Sequence, residues 1–161
     1  MTNDASNTDD GASVWIPPPL IYLAGVIGGA LLHAYVRPMP LLLEFGPRLA
    51  VSLTFVMLGI ALMAGAVGLF KRTGQDPKPW KSTPEIISTG VYRFTRNPMY
   101  LGLALLQIGI GVGLENGWVL ALVPPVLLAI YQTTIRHEEA YLEDKFGDIY
   151  LQYKHSVRRW L

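Results

Sequence analysis

The sequence contains no cysteine and few charged residues. Without cysteine, the chain cannot form disulfides, thiolate metal sites, iron–sulfur clusters or a cysteine nucleophile. Charged residues make up 16% of the chain, against about 25% in ordinary soluble domains. The formal net charge is only +1, so no strong attraction to nucleic acid is expected. These shortages argue against a soluble, nucleic-acid-binding or thiol-dependent protein.

Several motifs that bind cofactors or metals are also absent. The sequence has no P-loop, no GxGxxG, no HExxH and no arrangement typical of a serine triad. Its three histidines, His33, His137 and His155, are too scattered to indicate a metal site. We therefore expect no metal.

Hydrophobic residues make up 51% of the 161-residue chain and concentrate in four runs. About 20 apolar residues in a helix cross the hydrocarbon core of a bilayer. The four runs cover residues 20–36, 49–70, 99–114 and 118–135, and only Glu115 to Gly117 separates the last two. Four such runs leave too little polar surface to cover them in water. The sequence predicts an all-α integral membrane protein with about four transmembrane helices, the last two forming a hairpin.

The remaining segments set the predicted domain organisation and orientation. Residues 1–13 are predicted to be a disordered lead-in, followed by a single membrane domain over residues 14–161. The loop at 71–98 holds six Lys or Arg residues and the stretch 136–161 holds five, against two on the opposite side. By the positive-inside rule this distribution places the loop, the C-terminal stretch and both termini in the cytoplasm.

Two features predict details of helix shape and packing. Gly25 and Gly29 lie four residues apart, a spacing that lets helix backbones approach closely. Pro124 and Pro125 fall within the fourth run, where they remove two helix donors and predict a kink.

A polar motif precedes the third run. Pro98 suits the first turn of a helix, and Asn97 is a plausible N-cap. The start of a helix offers N–H groups and partial positive charge, and Arg96 lies beside it. This combination predicts a seat for a carboxylate or phosphate. The alternative is a simple anchor at the membrane boundary.

A second polar cluster follows the fourth run. Glu138 and Glu139 would point about 100° apart on a helix that continues beyond the membrane, so at most one faces a given pocket. The alternative is a solvated helix face on which Arg136 and His137 are local partners. The stretch 136–161 has an amphipathic pattern and is predicted to form a C-terminal helix. That helix would either lie on the membrane surface or fold over the loop.

These residues together resemble a known family. The stretch Gly90–Gly102, a hydrophobic hairpin, Glu138-Glu139 and Phe146-Gly147 resemble the isoprenylcysteine carboxyl methyltransferase-like and phospholipid methyltransferase group. Its pattern is Arg-His-Pro-x-Tyr-x-Gly followed, after a membrane hairpin, by Glu-Glu. The resemblance covers residues 84–161, and Asn97 stands where the pattern has histidine.

The resemblance implies a short bacterial-type membrane methyltransferase with S-adenosyl-L-methionine as cofactor and one pocket on the cytoplasmic side. The helix start with Arg96 would take the cofactor carboxylate, and one of Glu138 and Glu139 would meet its ammonium or ribose hydroxyls. Tyr100 and Tyr131 would flank the adenine or sulfonium. Candidate cofactor-binding residues are Gly90, Tyr92, Arg96, Asn97, Pro98, Tyr100, Gly102, Tyr131, Glu138 and Glu139. Candidate catalytic residues are Arg96, Glu138 and Glu139.

Three of those candidates act through the shape of the site. Gly102 has no side chain and would let the cofactor approach the backbone of its helix. Gly90 and Tyr92 would shape the loop over the cofactor.

The methyl acceptor is expected to be lipidic and to come from the bilayer, with membrane lipids as the other partners. An isoprenylcysteine-like carboxylate, giving O-methylation, is the first hypothesis, and the ethanolamine headgroup of a phospholipid is the alternative. Two further alternatives stay open: a small transporter or lipid-binding protein, and a sterol-type reductase with a nicotinamide cofactor. A transporter is expected to carry an acid within a span, which the first two runs lack. The related reductases are larger than this chain.

Overall fold

All regular secondary structure is helical in residues 16–74 and 84–160, which are the residues that the computed structural model describes. The helices are α1 (Pro18–Leu31), α2 (Phe45–Arg72), α3 (Pro98–Gly113), α4 (Gly117–Ala121), α5 (Val123–Ile130), α6 (Arg136–Phe146) and α7 (Asp148–Ser156). A π-helical turn at Leu32–Val36 prolongs α1, and another at Tyr131–Ile135 joins α5 to α6. A 3₁₀ turn at Gly90–Arg93 precedes α3. The predicted disordered lead-in at 1–13 and the middle of the 71–98 loop lie outside the described residues.

Each predicted transmembrane run lies almost entirely within one helical stretch. Among the described residues, three stretches are long and apolar enough to cross a membrane, namely Pro18–Val36, Phe45–Arg72 and Gly117–Phe146. The last of these comprises α4, α5, the π-helical turn and α6. Because α3 precedes it in the chain, it is the fourth helical stretch, and we call it the fourth rod. The remaining run is α3, a shorter apolar helix of 16 residues. Large apolar side chains on α1 and α2, such as Leu20, Leu23, Leu53 and Met57, are exposed, as expected where lipid covers them. The predicted all-α membrane protein is confirmed.

Helix α3 lies at the centre of the bundle, with α2 on one side and α1 with the fourth rod on the other. Glycine lets α2 and α3 approach closely, because a Cβ on Gly59 would lie 2.7 Å from the Gly102 carbonyl oxygen. Ser52 also donates a hydrogen bond of 2.8 Å to the Gly109 carbonyl oxygen. On the other side, a Cβ on Gly29 would lie 2.7 Å from the backbone of Val119. The predicted close approach at the small residues of α1 is confirmed.

The fourth rod is interrupted where the two prolines predict a kink. Helix α4 ends at Ala121, Leu122 has a ψ of −7°, and α5 begins at Val123 with proline in its first turn. Pro124 and Pro125 have no N–H to donate, so the ladder loses two hydrogen bonds here. The prediction of an irregular fourth helix is confirmed.

The C-terminal stretch differs from the prediction of one helix over 136–161. Helix α6 continues the fourth rod and ends before Gly147, whose φ of +51° is a conformation that favours glycine. Helix α7 follows, and Val157, which has extended backbone angles, begins a non-helical tail segment, residues 157–160. Of the two predicted locations, the structure has the one over the loop, since the Tyr153 hydroxyl donates to the Tyr92 carbonyl oxygen at 2.8 Å.

The fourth rod is longer than a bilayer requires. Its 30 residues extend about 45 Å, whereas a hydrocarbon core of about 30 Å takes about 20 of them. Helix α6 begins at Arg136 with four polar residues in succession. Glu138 and Glu139 therefore lie beyond the membrane-spanning part, at the end of the bundle where α3 begins.

Candidate functional site

The two polar motifs found in the sequence meet in space. The residues leading into α3, the first turn of α6 and the tail segment come together at the polar end of the bundle. Arg96, Asn97, Tyr100 and Glu139 are all largely buried there. The prediction that both motifs contribute to one site agrees with this geometry, although 38 residues separate Tyr100 from Glu138 in the chain.

Glu138 is held by a tyrosine. The Tyr100 hydroxyl donates a hydrogen bond of 2.5 Å to Glu138 Oε1, and the Tyr100 carbonyl oxygen accepts one of 2.8 Å from the Tyr22 hydroxyl. Burial raises the pKa of Glu138 to about 7, the hydrogen bond from Tyr100 opposes that shift, and the nearby Glu139 adds to it. Glu138 therefore changes its charge near neutral pH, as groups that accept or donate protons in active sites do.

Glu139 has a different environment from its neighbour. Its Oε1 and Oε2 accept hydrogen bonds of 3.0 and 2.9 Å from Nε and Nη2 of Arg159. Its Oε1 also lies 3.4 Å from Nη2 of Arg96. The two adjacent carboxylates thus have separate partners, in agreement with the predicted divergence of about 100°. The alternative of a solvated face is wrong for Glu139, which is 8% exposed.

Arg96 is a buried cation, and two of its side-chain nitrogen atoms have no hydrogen-bond partner among the described residues. Its side chain is 9% exposed, and its backbone N–H donates to the Arg158 carbonyl oxygen at 3.0 Å. Nε and Nη1 of its guanidinium are buried and have no hydrogen-bond partner among the residues that the structure describes. Buried polar groups are rarely left in this state. These two N–H groups are therefore suited to an anionic ligand.

The start of α3 differs in one detail from the prediction. Asn97 does occupy the N-cap position, but its side chain makes no capping hydrogen bond. Instead, its Nδ2 donates to the Arg159 carbonyl oxygen at 3.1 Å. Asparagine here ties the tail segment to the helix start, and an amide donor suffices for that contact. Pro98 lies in the first turn, as predicted, and is buried.

Three further candidates have mainly structural surroundings. Gly102 does not leave room for a cofactor: a Cβ on it would lie 2.5 Å from Met63 Cγ, so its small size serves the packing of α2 on α3. Gly90 has a φ of +58°, which permits the turn before α3. Tyr92 is buried and its ring meets that of Phe70 edge-on at 6.1 Å.

Tyr131 lies at the site, but a protein cation covers one face of its ring. The guanidinium carbon of Arg159 lies 4.7 Å from the ring centroid, a favourable distance for a cation on an aromatic face. The ring thus binds a cation, as the sequence predicts for a sulfonium, but the cation in this structure belongs to the tail segment.

Sequence reasoning missed the contribution of the tail segment. Thr95 Oγ1 donates to the Arg159 carbonyl oxygen at 3.0 Å, and Trp160 packs on the buried cluster that includes Tyr100. The prediction of one continuous helix over 136–161 assigned none of these residues to the site. Gly147 was the available signal, because glycine shortly after a helical pattern commonly marks its end.

Comparison with known proteins agrees with the geometry. Residues 47–149 match the family described as phospholipid methyltransferase. The chain is 38% identical to the protein-S-isoprenylcysteine O-methyltransferase of Saccharomyces cerevisiae and 35% identical to that of Schizosaccharomyces pombe. Each of these two matches covers 72 residues, which are 45% of this chain and 30% of the matched enzyme. An uncharacterized protein of Haemophilus influenzae is 46% identical over 63 residues, 39% of this chain and all of that protein. The chain thus spans about a third of the length of the two named relatives.

Proposed function

Since this chain belongs to the phospholipid methyltransferase family, we propose that it is an S-adenosylmethionine-dependent membrane methyltransferase that acts on a lipidic acceptor. One observation carries the proposal. At the polar end of the bundle, Arg96 has two buried N–H groups without a partner among the described residues, and Glu138 is the neighbour of Glu139, which Arg96 contacts. This pair is complementary to a zwitterionic amino acid, which is one end of the proposed cofactor.

The residues of the site fit the cofactor as follows. Nε and Nη1 of Arg96 would hold its carboxylate, and ionised Glu138 would accept from its ammonium group or ribose hydroxyls. The bound cofactor supplies a methyl group already activated by a sulfonium. The protein then needs mainly to fix positions and exclude water. Tyr100 fixes Glu138, and hydrogen bonds from Thr95 and Asn97 hold the tail segment beside the start of α3.

A lipidic carboxylate is the acceptor that we propose first. The site lies where helices cross the membrane boundary, so an acceptor anchored in the bilayer reaches it while the cofactor arrives from water. A carboxylate such as that of an isoprenylcysteine is already nucleophilic and needs no general base. The two named relatives, whose matches each cover 45% of this chain, are named for the methylation of an isoprenylcysteine.

A phospholipid amine is the second candidate, and the environment of Glu138 favours it. An ethanolamine nitrogen must lose a proton to accept a methyl group. Glu138, with a pKa of about 7, is suited to take that proton near neutral pH.

Calorimetric titration with S-adenosylhomocysteine tests the cofactor assignment in detergent-purified protein. We expect wild-type protein to bind in the micromolar range and Glu138→Gln to bind about tenfold more weakly, since a charge-assisted hydrogen bond is lost. Asp144→Asn, an exposed change on the same helix, is the matched control and should bind like wild type. Folded wild-type protein that does not bind would contradict the proposal.

Methyl transfer from labelled cofactor then distinguishes the two acceptors. A farnesylated cysteine derivative and phosphatidylethanolamine vesicles are supplied separately, and the labelled product is tested for base-labile ester. A base-labile product supports O-methylation, whereas a base-stable label in the phospholipid fraction supports the amine. Transfer to neither acceptor by protein that binds the cofactor would exclude both of these acceptor classes.

A further inference from the structure

Arg96 and Arg159 compete for a single carboxylate. Nε and Nη2 of Arg159 donate hydrogen bonds of 3.0 and 2.9 Å to the two carboxylate oxygens of Glu139. Nη2 of Arg96 lies 3.4 Å from one of those oxygens. Paired, planar contacts of the first kind are the stronger ones. Two cations thus share one anion, and the group of three side chains keeps a net charge of +1.

The position of Arg159 does not depend on its own side chain. Its carbonyl oxygen accepts hydrogen bonds from Thr95 and Asn97, and the neighbouring Arg158 carbonyl oxygen accepts one from the backbone of Arg96. Trp160 packs on the buried core next to it. A change of the side chain at residue 159 therefore leaves the anchors of the tail segment in place.

Without Arg159, the Glu139 carboxylate would be free to turn toward Arg96. Glu139 is 8% exposed, so it has little water to replace a lost partner, and an unpaired buried charge is costly. Arg96 is the nearest remaining cation. A close pair between them would neutralise Arg96 and occupy its donors.

We infer that Arg159 is a positioning residue: it limits Glu139 to its 3.4 Å contact with Nη2 of Arg96 and so leaves Nε and Nη1 of Arg96 for an anionic ligand. This inference rests on the proposed function, because the anion it assigns to those two nitrogen atoms is the carboxylate in the amino-acid part of the cofactor. Arg159 acts through Glu139 and needs no contact of its own with the ligand.

Two ligands and three variants test the inference by calorimetry. S-adenosylhomocysteine carries the amino-acid part, and 5′-methylthioadenosine lacks it. Arg159→Met should weaken binding of the first ligand about tenfold and leave binding of the second unchanged. Arg158→Met, a change of the exposed neighbour, is the matched control and should bind both ligands like wild type.

The decisive variant combines Arg159→Met with Glu139→Gln. Removing the carboxylate that would close on Arg96 should make Arg159 dispensable, so the double variant should regain most of the affinity lost in Arg159→Met. A purely structural role for Arg159 would differ in the single variant, because Arg159→Met would then weaken binding of both ligands. Far-UV circular dichroism and elution volume in detergent establish that each variant is folded.

The possible failures can be told apart. Wild-type protein that binds neither ligand contradicts the proposed function itself. Wild-type protein that binds S-adenosylhomocysteine, with Arg159→Met binding equally well, overturns only the inference. A double variant as weak as Arg159→Met also overturns it.

Discussion

Two neighbouring glutamates, Glu138 and Glu139, show how strongly a residue depends on its surroundings. Glu139 lies between two guanidinium groups and is paired as a carboxylate. Glu138 faces a tyrosine hydroxyl in a buried setting that favours its neutral form. The first is therefore suited to holding cations in place, and the second to exchanging a proton near neutral pH.

The raised pKa of Glu138 predicts a pH dependence of stability. In the folded protein this pKa is about 7, against 4.5 for the ordinary group. Between these values the folded chain keeps a proton that the unfolded chain has lost, so the free energy of unfolding falls as the pH rises. We expect Glu138→Gln to remove this fall, worth about 2 kcal/mol between about pH 5 and pH 8. Thermal unfolding in detergent across that range measures it.

Asp144→Asn serves as the comparison for this measurement, since it removes an exposed carboxylate from the same helix. It should unfold with the pH dependence of wild type. Curves for wild type and Glu138→Gln that run parallel would show that Glu138 titrates at an ordinary pKa.

At the scale of elements, close backbone contact decides how α1 meets the fourth rod. Gly29 has the Val119 backbone and side chain at 2.7 Å from the position of a Cβ, whereas Gly28 has only the flexible end of Leu122 at 3.6 Å. A backbone cannot move aside as a side-chain end can. The two adjacent glycines therefore differ sharply in what they tolerate.

This difference predicts opposite results for two alanine substitutions. Gly29→Ala should destabilise the protein by about 1–3 kcal/mol, as expected when a methyl group is forced into a packed contact. Gly28→Ala is the matched control and should be neutral or slightly stabilising, because alanine is the better helix former. The thermal midpoint in detergent checks both. Equal midpoints for the two variants would mean that α1 does not pack against α4 in this way.

At the scale of the whole molecule, the charge distribution fixes the proposed orientation. Eleven of the 13 Lys and Arg residues lie in 71–98 and 136–161. The site lies at that end of the bundle, and by the positive-inside rule we propose that it faces the cytoplasm.

The absence of cysteine makes this orientation directly testable. Glu44→Cys and Gln152→Cys place single thiols at exposed positions at opposite ends of the bundle. In intact cells a membrane-impermeant maleimide should label residue 44 and not residue 152, and permeabilisation should expose both. The reverse pattern in intact cells would show the opposite orientation and place the site outside.

Sequence patterns predicted the helices better than they predicted the site. The apolar runs, the glycine pair of α1 and the proline-containing stretch each act over a few neighbouring residues, so their outcome can be seen in the chain itself. Arg159 of the tail segment pairs with Glu139 and covers one face of Tyr131, although it lies 20 residues from Glu139 in the chain. No local pattern specifies such contacts.

By itself, the sequence determined the class of protein, the four helical stretches and the two motifs that form the site. Length and hydropathy suffice for these, because a bilayer requires every spanning backbone to satisfy its own hydrogen bonds. Only the tertiary structure decided that Glu138 pairs with Tyr100, that Glu139 pairs with Arg159, and that Gly102 serves helix packing. Burial and charge depend on which distant segments meet, and here that depends on the helix break at Gly147, after which Tyr153 of α7 contacts Tyr92.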